Sequence, residues 1–394
     1  MSKSLEQVAE QLKNTNKKVQ LIYAFNGTGK TRLSRIFKDL IVPKNGAQNG
    51  GEDAGQIELS RNKILYYNAF TEDLFYWDND LEGDVEPKLK IQPNSFTDWV
   101  LQEQGQDQNV VSYFQRFSSG KLTPRFNPEY TFNDESGQHK TIKAFSEVTF
   151  SLERGDDDSS GVLKISKGEE SNFVWSIFYN LLEQVIDILN VADPNERETE
   201  QFNQLKYVYI DDPVSSLDEN HLIELAVNLA ALIRSSYFSN DGRDGLRFII
   251  STHSTIFYNV LYNELKLKNG YILSKFDDET FELEEKKGDS NKSFSYHLHI
   301  KKLIELAIES SSVQRYHFAL LRNLYEKTAN FLGYNRWSDL LPEPKKAYAN
   351  RIMNFYPHNT LTNEEIAEPT APEKEMVRTL LENLNTYGFW NEDV

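Results

Sequence analysis

Between Ala24 and Thr31 the chain reads AFNGTGKT, a spacing suited to holding a run of phosphates. Gly27 and Gly29 leave the backbone free to curl its N–H groups round an anion at the start of a helix. Lys30 is spaced to reach the outer phosphates and Thr31 to offer a hydroxyl to Mg²⁺, with Asn26 and Thr28 completing the loop. The first position of the usual pattern is glycine; here it is Ala24. A second group lies far along the chain, where Tyr207–Asp212 is an apolar run ending in two carboxylates. An acidic residue at the C-terminal end of such a strand holds the cation through water. Asp211 takes that role with Thr31. Asp212 stands where the residue that polarises the attacking water belongs, and its shortness relative to glutamate predicts slow hydrolysis.

A third group is nearer the C-terminus. Arg322 and Glu326 are four residues apart, so both project from one face of a helix. Such pairs are most often surface ion pairs. His358 follows Pro357 in RIMNFYPHNT, at an element end, and a lone histidine is usually structural. The three side chains are of types that serve acid–base and anion-holding chemistry. An imidazole serves as acid or base near neutrality. A guanidinium holds charge on the phosphate oxygens. Glu326 either orients Arg322 or shares the proton transfer. The setting is a basic island: Lys286 to Arg351 holds 12 basic and 6 acidic residues inside a chain of net charge −17. Such an island suits a local polyanion site, and equally a set of ordinary surface helices.

These groups need elements to position them. Val19–Tyr23, Lys63–Tyr67, Lys206–Ile210 and Arg247–Ile250 are apolar runs that predict buried strands, and Thr31–Leu40, Glu169–Val191 and Asn220–Ser235 predict helices. Strands and helices in this alternation point to a mostly parallel sheet covered by helices. The pattern changes near residue 265. A short β-like piece, Tyr271–Leu283, precedes a helical region from about Tyr296, with Tyr316–Leu332 amphipathic. Two domains are therefore expected, residues 1–265 and 266–394. Asn45–Gln56 reads as a Gly/Asn-rich loop, and the aromatic cluster in Tyr67–Asp80 reads as core. The absence of cysteine removes disulfides, thiolate metal sites and cysteine nucleophiles, and fits a reducing cytoplasm. The first residues lack the apolar core of a secretory leader, and no apolar run reaches the ~20 residues of a membrane helix, so no membrane association is expected.

Five ordered motifs carry a resemblance. After the phosphate-binding loop come SKGEE (Ser166–Glu170), the IDD segment, PVSSLD (Pro213–Asp218) and His253 in IISTHS. The order is similar to that of ABC-type ATPases: P-loop, signature, Walker B, D-loop and switch histidine. The resemblance implies an α/β ABC-type P-loop ATPase domain that binds ATP or GTP with Mg²⁺, and self-association into a dimer or larger even assembly. In that arrangement Ser166, Gly168 and Asp218 complete a nucleotide site held by another subunit, and His253 assists hydrolysis. Asn68 stands in for the Q-loop glutamine or is an ordinary turn residue. No heptad pattern fills the stretch between loop and signature, so a long coiled-coil arm is not expected.

RNLYEK, GDSNKSFSYHLH and FYPHNT, with LIYAFNGTGKTRLSR, YYNAFTEDLFYWDND, SKGEESNF and IDDPVSSLD, extend the resemblance over nearly the whole chain. They are similar to the PrrC family of bacterial tRNA anticodon nucleases, in which Ala24 is also the usual departure. This resemblance implies a mainly α-helical C-terminal nuclease domain related to HEPN ribonucleases, with Arg322, Glu326 and His358 as catalytic triad and Asp289 recognising the anticodon. It implies cleavage of tRNA(Lys) to 2′,3′-cyclic phosphate and 5′-hydroxyl ends, without a metal in the nuclease step. It further implies hydrolysis of GTP or ATP, stabilisation by dTTP, and latency beside a type Ic restriction-modification complex until phage infection. The HEPN spacing of an arginine before histidine is also met by Arg351, so two arginines compete for the catalytic role. Two other readings stand beside it. One is a metal-dependent DNA nuclease with an ABC-type ATPase, as in overcoming-lysogenization-defect proteins, which needs clustered carboxylates. The other is a non-catalytic ATPase sensor in which Arg322–Glu326 is an ion pair.

Overall fold

The computed structural model describes residues 3–43, 63–68, 74–78, 87–93, 95–118, 121–133, 139–152, 162–213, 219–239, 244–276, 278–287, 296–354 and 369–387. In chain order the elements used below are α1 (Leu5–Lys13), β1 (Val19–Tyr23), α2 (Lys30–Ile41), β2 (Ile64–Tyr67), β3 (Phe75–Asp78), β4 (Lys88–Ile91), α3 (Asp107–Phe117), β5 (Leu122–Phe126), β6 (Tyr130–Asn133), β7 (His139–Ile142) and β8 (Glu147–Leu152). They continue with α4 (Lys167–Asn190), β9 (Tyr207–Asp211), α5 (Glu219–Ser235), β10 (Arg247–Thr252), α6 (Thr255–Glu264), β11 (Asn269–Lys275), β12 (Phe281–Lys287), α7 (Tyr296–Glu309), α8 (Arg315–Leu332), α9 (Lys345–Asn354) and α10 (Ala371–Asn385). The chain divides into two compact units, 1–288 and 289–394.

The first unit is built on a six-stranded sheet in the order β12-β11-β1-β10-β9-β2. The five strands from β11 to β2 run parallel, and β12 closes one edge antiparallel to β11. Every residue of β1 and β9 is buried, as expected of strands covered on both faces. Register sets the site. Tyr23 pairs with Thr252 and Ser251 pairs with Asp211, so β1, β10 and β9 end together on one edge. Ligands of open α/β sheets bind outside those C-terminal strand ends.

A second, antiparallel sheet in the order β3-β4-β8-β5 belongs to the same unit. Phe150 of β8 meets Phe173 of α4 edge-on at 5.4 Å, and Phe173 meets Phe114 of α3 at 5.7 Å. α4 is buried nearly all round from Glu170 to Leu182, which is why its apolar residues show little one-sided periodicity. The Tyr67–Asp80 cluster is partly core: Tyr67 meets Trp175 edge-on at 5.1 Å and Phe75 is buried, whereas Tyr76 is exposed.

One expectation is corrected. The boundary near residue 265 cuts the first unit, because β11 and β12 extend the main sheet beside β1. A short β-like piece in the sequence does not tell which distant strand it joins. Gly270 shows how closely β11 is fitted: a Cβ there would stand 1.7 Å from the Tyr258 hydroxyl of α6.

The described residues of the second unit form helices α7 to α10 with a short 3₁₀ turn, Trp337–Leu340. Their core gathers Ile300 and Ile304 from α7, Phe318, Leu321, Leu324 and Tyr325 from α8, and Val377, Leu380 and Leu384 from α10. Asn383 locks this packing by donating to both the Tyr325 hydroxyl (3.0 Å) and the Leu340 carbonyl (2.9 Å). No helix among the described residues is long and apolar enough to cross a membrane.

Candidate functional site

The loop 24–29 leaves β1 and enters α2 through Gly29, whose φ of +101° only glycine adopts without strain. Gly27, at φ +82°, has open space where a Cβ would stand. No side chain caps the first turn of α2, so its N–H groups are not satisfied by a capping side chain. Thr28 is buried, and its N–H donates to the Phe25 carbonyl at 3.3 Å. The Lys30 ammonium donates to the Ala24 carbonyl and to Asn26 Oδ1, both at 3.2 Å, and lies 3.6 Å from Asp212 Oδ2.

Thr31 and Asp211, 180 residues apart in sequence, are joined directly: Thr31 Oγ1 donates to Asp211 Oδ2 at 2.8 Å. Ser251 Oγ donates to the other carboxylate oxygen at 2.6 Å. Burial pushes the Asp211 carboxyl above its ordinary value, against the lowering effect of these two hydroxyls, and the Asp212 charge adds to the rise. A buried carboxylate beside a hydroxyl is an all-oxygen donor set, which fits Mg²⁺, a hard cation that keeps several of its waters. Thr31 and Asp211 are the residues that would hold it.

Asp212 sits one step beyond the strand at φ +54°, a left-handed conformation that costs a non-glycine residue about 1 kcal/mol. The conformation is held by its N–H on the Ser251 carbonyl (2.8 Å) and by its side chain. Asp212 Oδ2 meets His253 Nδ1 at 2.6 Å, and Oδ1 accepts from Thr252 Oγ1 at 3.3 Å. Burial works to raise the Asp212 carboxyl, but the His253 hydrogen bond and the charges of His253 and Lys30 outweigh it and hold the group below the usual carboxylate range. Lys30, Asp212 and His253 thus form one polar row beside the Thr31–Asp211 pair.

Ser166 and Gly168 stand at the N-terminus of α4. Ser166 caps that helix: its hydroxyl receives the Glu169 N–H at 3.3 Å, and Glu169 Oε2 in return accepts the Ser166 N–H at 2.8 Å. Glu170, the neighbour in SKGEE, is buried and accepts from Trp77 Nε1 of β3 at 3.0 Å. Asn68 is buried at the end of β2, where its amide donates to the Tyr66 hydroxyl at 2.7 Å. Asp218, Asp289 and His358 lie outside the described residues, as does the side chain of Arg351 on α9.

In the second unit, Arg322 Nε donates to Glu326 Oε1 at 2.8 Å along α8. The guanidinium also lies over the Trp337 ring, 5.5 Å from its centroid. Arg322 is thereby held on an edge and a face, one-fifth exposed, while Glu326 is more open. Sequence spacing identified the ion pair and missed Trp337. Ser34, Tyr66, Ser251 and Thr252 were missed likewise. Ser251 and Thr252 precede His253 directly in IISTHS, and that run of hydroxyls at a strand end was the available signal. Among the described residues no three His, Asp or Glu side chains gather as a metal-binding group.

No protein-family model matches the chain. The structure is similar to cbiO1 of Clostridium perfringens, part of an ABC transporter complex, at 13% identity and a TM-score of 0.31, covering 73% of this chain and 82% of that one. It is also similar to the SMC head domain of Thermotoga maritima, at 12% identity and a TM-score of 0.28, covering 69% and 92%. Likenesses this distant carry no argument. The sequence is 59% identical to an Escherichia coli anticodon nuclease over 413 aligned residues, spanning 100% of this chain and 99% of the relative. By that full-length identity, the chain belongs to the anticodon nuclease family.

Proposed function

We propose that the chain is a nucleotide-regulated ribonuclease that cuts tRNA in the anticodon loop. The observation that carries this reading is full-length identity of 59% to an anticodon nuclease, in a chain that pairs Arg322 with Glu326 and gathers Lys30, Thr31, Asp211, Asp212 and His253. On this reading the first unit is an ABC-type ATPase and the second the nuclease. The substrate is tRNA(Lys), and the products carry 2′,3′-cyclic phosphate and 5′-hydroxyl ends. The chain acts as a dimer or larger even assembly, with Ser166, Gly168 and Asp218 facing a partner's nucleotide. A type Ic restriction-modification complex keeps it latent until phage infection.

In the nuclease step Arg322 holds negative charge on the scissile phosphate, His358 moves a proton to or from the reacting oxygens, and Glu326 keeps Arg322 turned toward its task. The Glu326 role is supported by the 2.8 Å bond from Arg322 Nε, which fixes the plane of the guanidinium along α8. In the ATPase unit Lys30 exchanges its loop carbonyls for phosphate oxygens. Asp212, oriented by His253, polarises the attacking water. Mg²⁺, when bound, supplies neutralising charge for the phosphates of ATP or GTP.

The deciding experiment is sequencing of tRNA 3′ ends after incubation with the protein and nucleotide, in parallel with the His358→Ala variant. Cyclic-phosphate ends within the anticodon loop, lost in His358→Ala while nucleotide binding persists, are expected. Intact tRNA with the wild-type chain, or equal cutting by the variant, overturns the reading.

A further inference from the structure

A row of polar side chains behind the magnesium pair has no part in the chemistry above. Asn68 Nδ2 donates to the Tyr66 hydroxyl at 2.7 Å. That hydroxyl lies 2.8 Å from Ser34 Oγ. Ser34 Oγ in turn lies 3.0 Å from the Thr31 carbonyl and 3.5 Å, a long contact, from Asp211 Oδ2. Ser34 is wholly buried and Asn68 nearly so. The Thr31 carbonyl and the Asp211 carboxylate can only accept from Ser34 Oγ. The Tyr66 hydroxyl accepts the Asn68 amide and shares with Ser34 Oγ a hydrogen bond in which either hydroxyl serves as donor. The row thus runs without a break from Asn68 to the two residues that would hold the cation. It starts where β2 ends, on the strand hydrogen-bonded to β9, which carries Asp211.

We propose that Tyr66 and Ser34 are positioning residues for the magnesium site, fixing Thr31 and Asp211 in the geometry that takes the cation and tying cation binding to Asn68 at the end of β2. Two features support more than passive packing. Asp211 is wholly buried, with Ser251 holding its other oxygen, so its orientation depends on what lies beside Oδ2. Ser34 sits one turn after Thr31 on α2 and bonds that residue's carbonyl, so it steadies the turn that presents the Thr31 hydroxyl. Groups that orient metal ligands in this way commonly change metal affinity about tenfold or more when removed. The inference rests on the reading of residues 24–31 and Asp211 as a nucleotide site.

The test follows binding of a fluorescent N-methylanthraniloyl derivative of ATP to the full chain, with Mg²⁺ titrated and a parallel series in EDTA. Tyr66→Phe removes one oxygen and keeps the ring. It is expected to raise the Mg²⁺ concentration for half-maximal binding about tenfold, and to leave both binding in EDTA and the thermal midpoint without nucleotide unchanged. Ser34→Ala cuts the row at its next link and gives the same shift, and the double variant is no worse than either single one, as for residues acting as a unit. An unchanged Mg²⁺ midpoint in both variants, an equal loss in EDTA, or shifts that multiply in the double variant overturn the proposal. Wild-type binding that ignores Mg²⁺, or that survives Lys30→Ala, removes the nucleotide-site reading itself and this inference with it.

Discussion

Asp211 and Asp212 are adjacent carboxylates with opposite environments, and their shifts run in opposite directions for that reason. Asp211 has burial, two hydroxyls and a like-charged neighbour; Asp212 has His253 and Lys30. The folded value of Asp211 lies above its unfolded value, so its ionised form opposes folding at neutral pH, and that cost falls away as the pH drops through the folded value. Asp211→Asn is therefore expected to raise the thermal midpoint at pH 7 in the absence of nucleotide, and to abolish the further rise given by Mg²⁺ with ATP. A midpoint lowered by the substitution would mean that the carboxylate's hydrogen bonds outweigh its burial. Asp212 reads the other way. Its contribution is present above the unfolded carboxylate value, about 3.9, and is lost as the pH falls through the lower folded value. The order of these acidic residues was legible in the sequence. Their inequality was not, because it depends on Ser251 at the end of β10 and His253 just beyond it.

At the scale of elements, two positions show local chemistry constraining the site. Ser166, assigned by resemblance to a partner's nucleotide, also caps α4, so Ser166→Ala is expected to cost about 1 kcal/mol of stability as well as any effect on assembly. Denaturant unfolding of the variant without nucleotide isolates the capping part. Gly270→Ala places a methyl carbon against the Tyr258 hydroxyl, and overpacking of this kind costs about 1–3 kcal/mol. Trimming the obstacle in the double variant Gly270→Ala/Tyr258→Phe is expected to recover part of that loss. Strands β1, β9 and β10 were legible because buried parallel strands are continuous apolar runs bounded by polar residues. Helix α8 was legible from its apolar spacing, and the Arg322–Glu326 pair from the four-residue repeat. The Tyr66–Ser34 contact and the Trp337 face over Arg322 were not. Each depends on which strand or turn packs beside which helix, and no local period records that.

The whole molecule divides at residue 288. All described residues of the nucleotide site lie before that point, and Arg322 and Glu326 lie after it. A fragment ending at 288 has its own sheet, including the β11–β12 edge, and is expected to fold and to bind a fluorescent ATP analogue with Mg²⁺ while cutting no tRNA. A fragment ending at 265, the boundary suggested by the change of pattern along the sequence, removes the strand beside β1 and is expected to be insoluble or to lose binding. Cooperative unfolding measured on both fragments separates the two boundaries.

The placement of β1 in that sheet also has a consequence for synthesis. β1 is made more than two hundred residues before its neighbours, 247–252 and 269–275. At about 5–20 residues per second, the phosphate-binding segment waits roughly 12–50 s for the strands that give it shape. The last of them is complete when everything after residue 288 has still to be translated. The ribosome thus delivers the nucleotide-binding unit as a finished object before it delivers Arg322 and Glu326, and a nascent chain never exposes the proposed cutting residues ahead of the unit proposed to govern them.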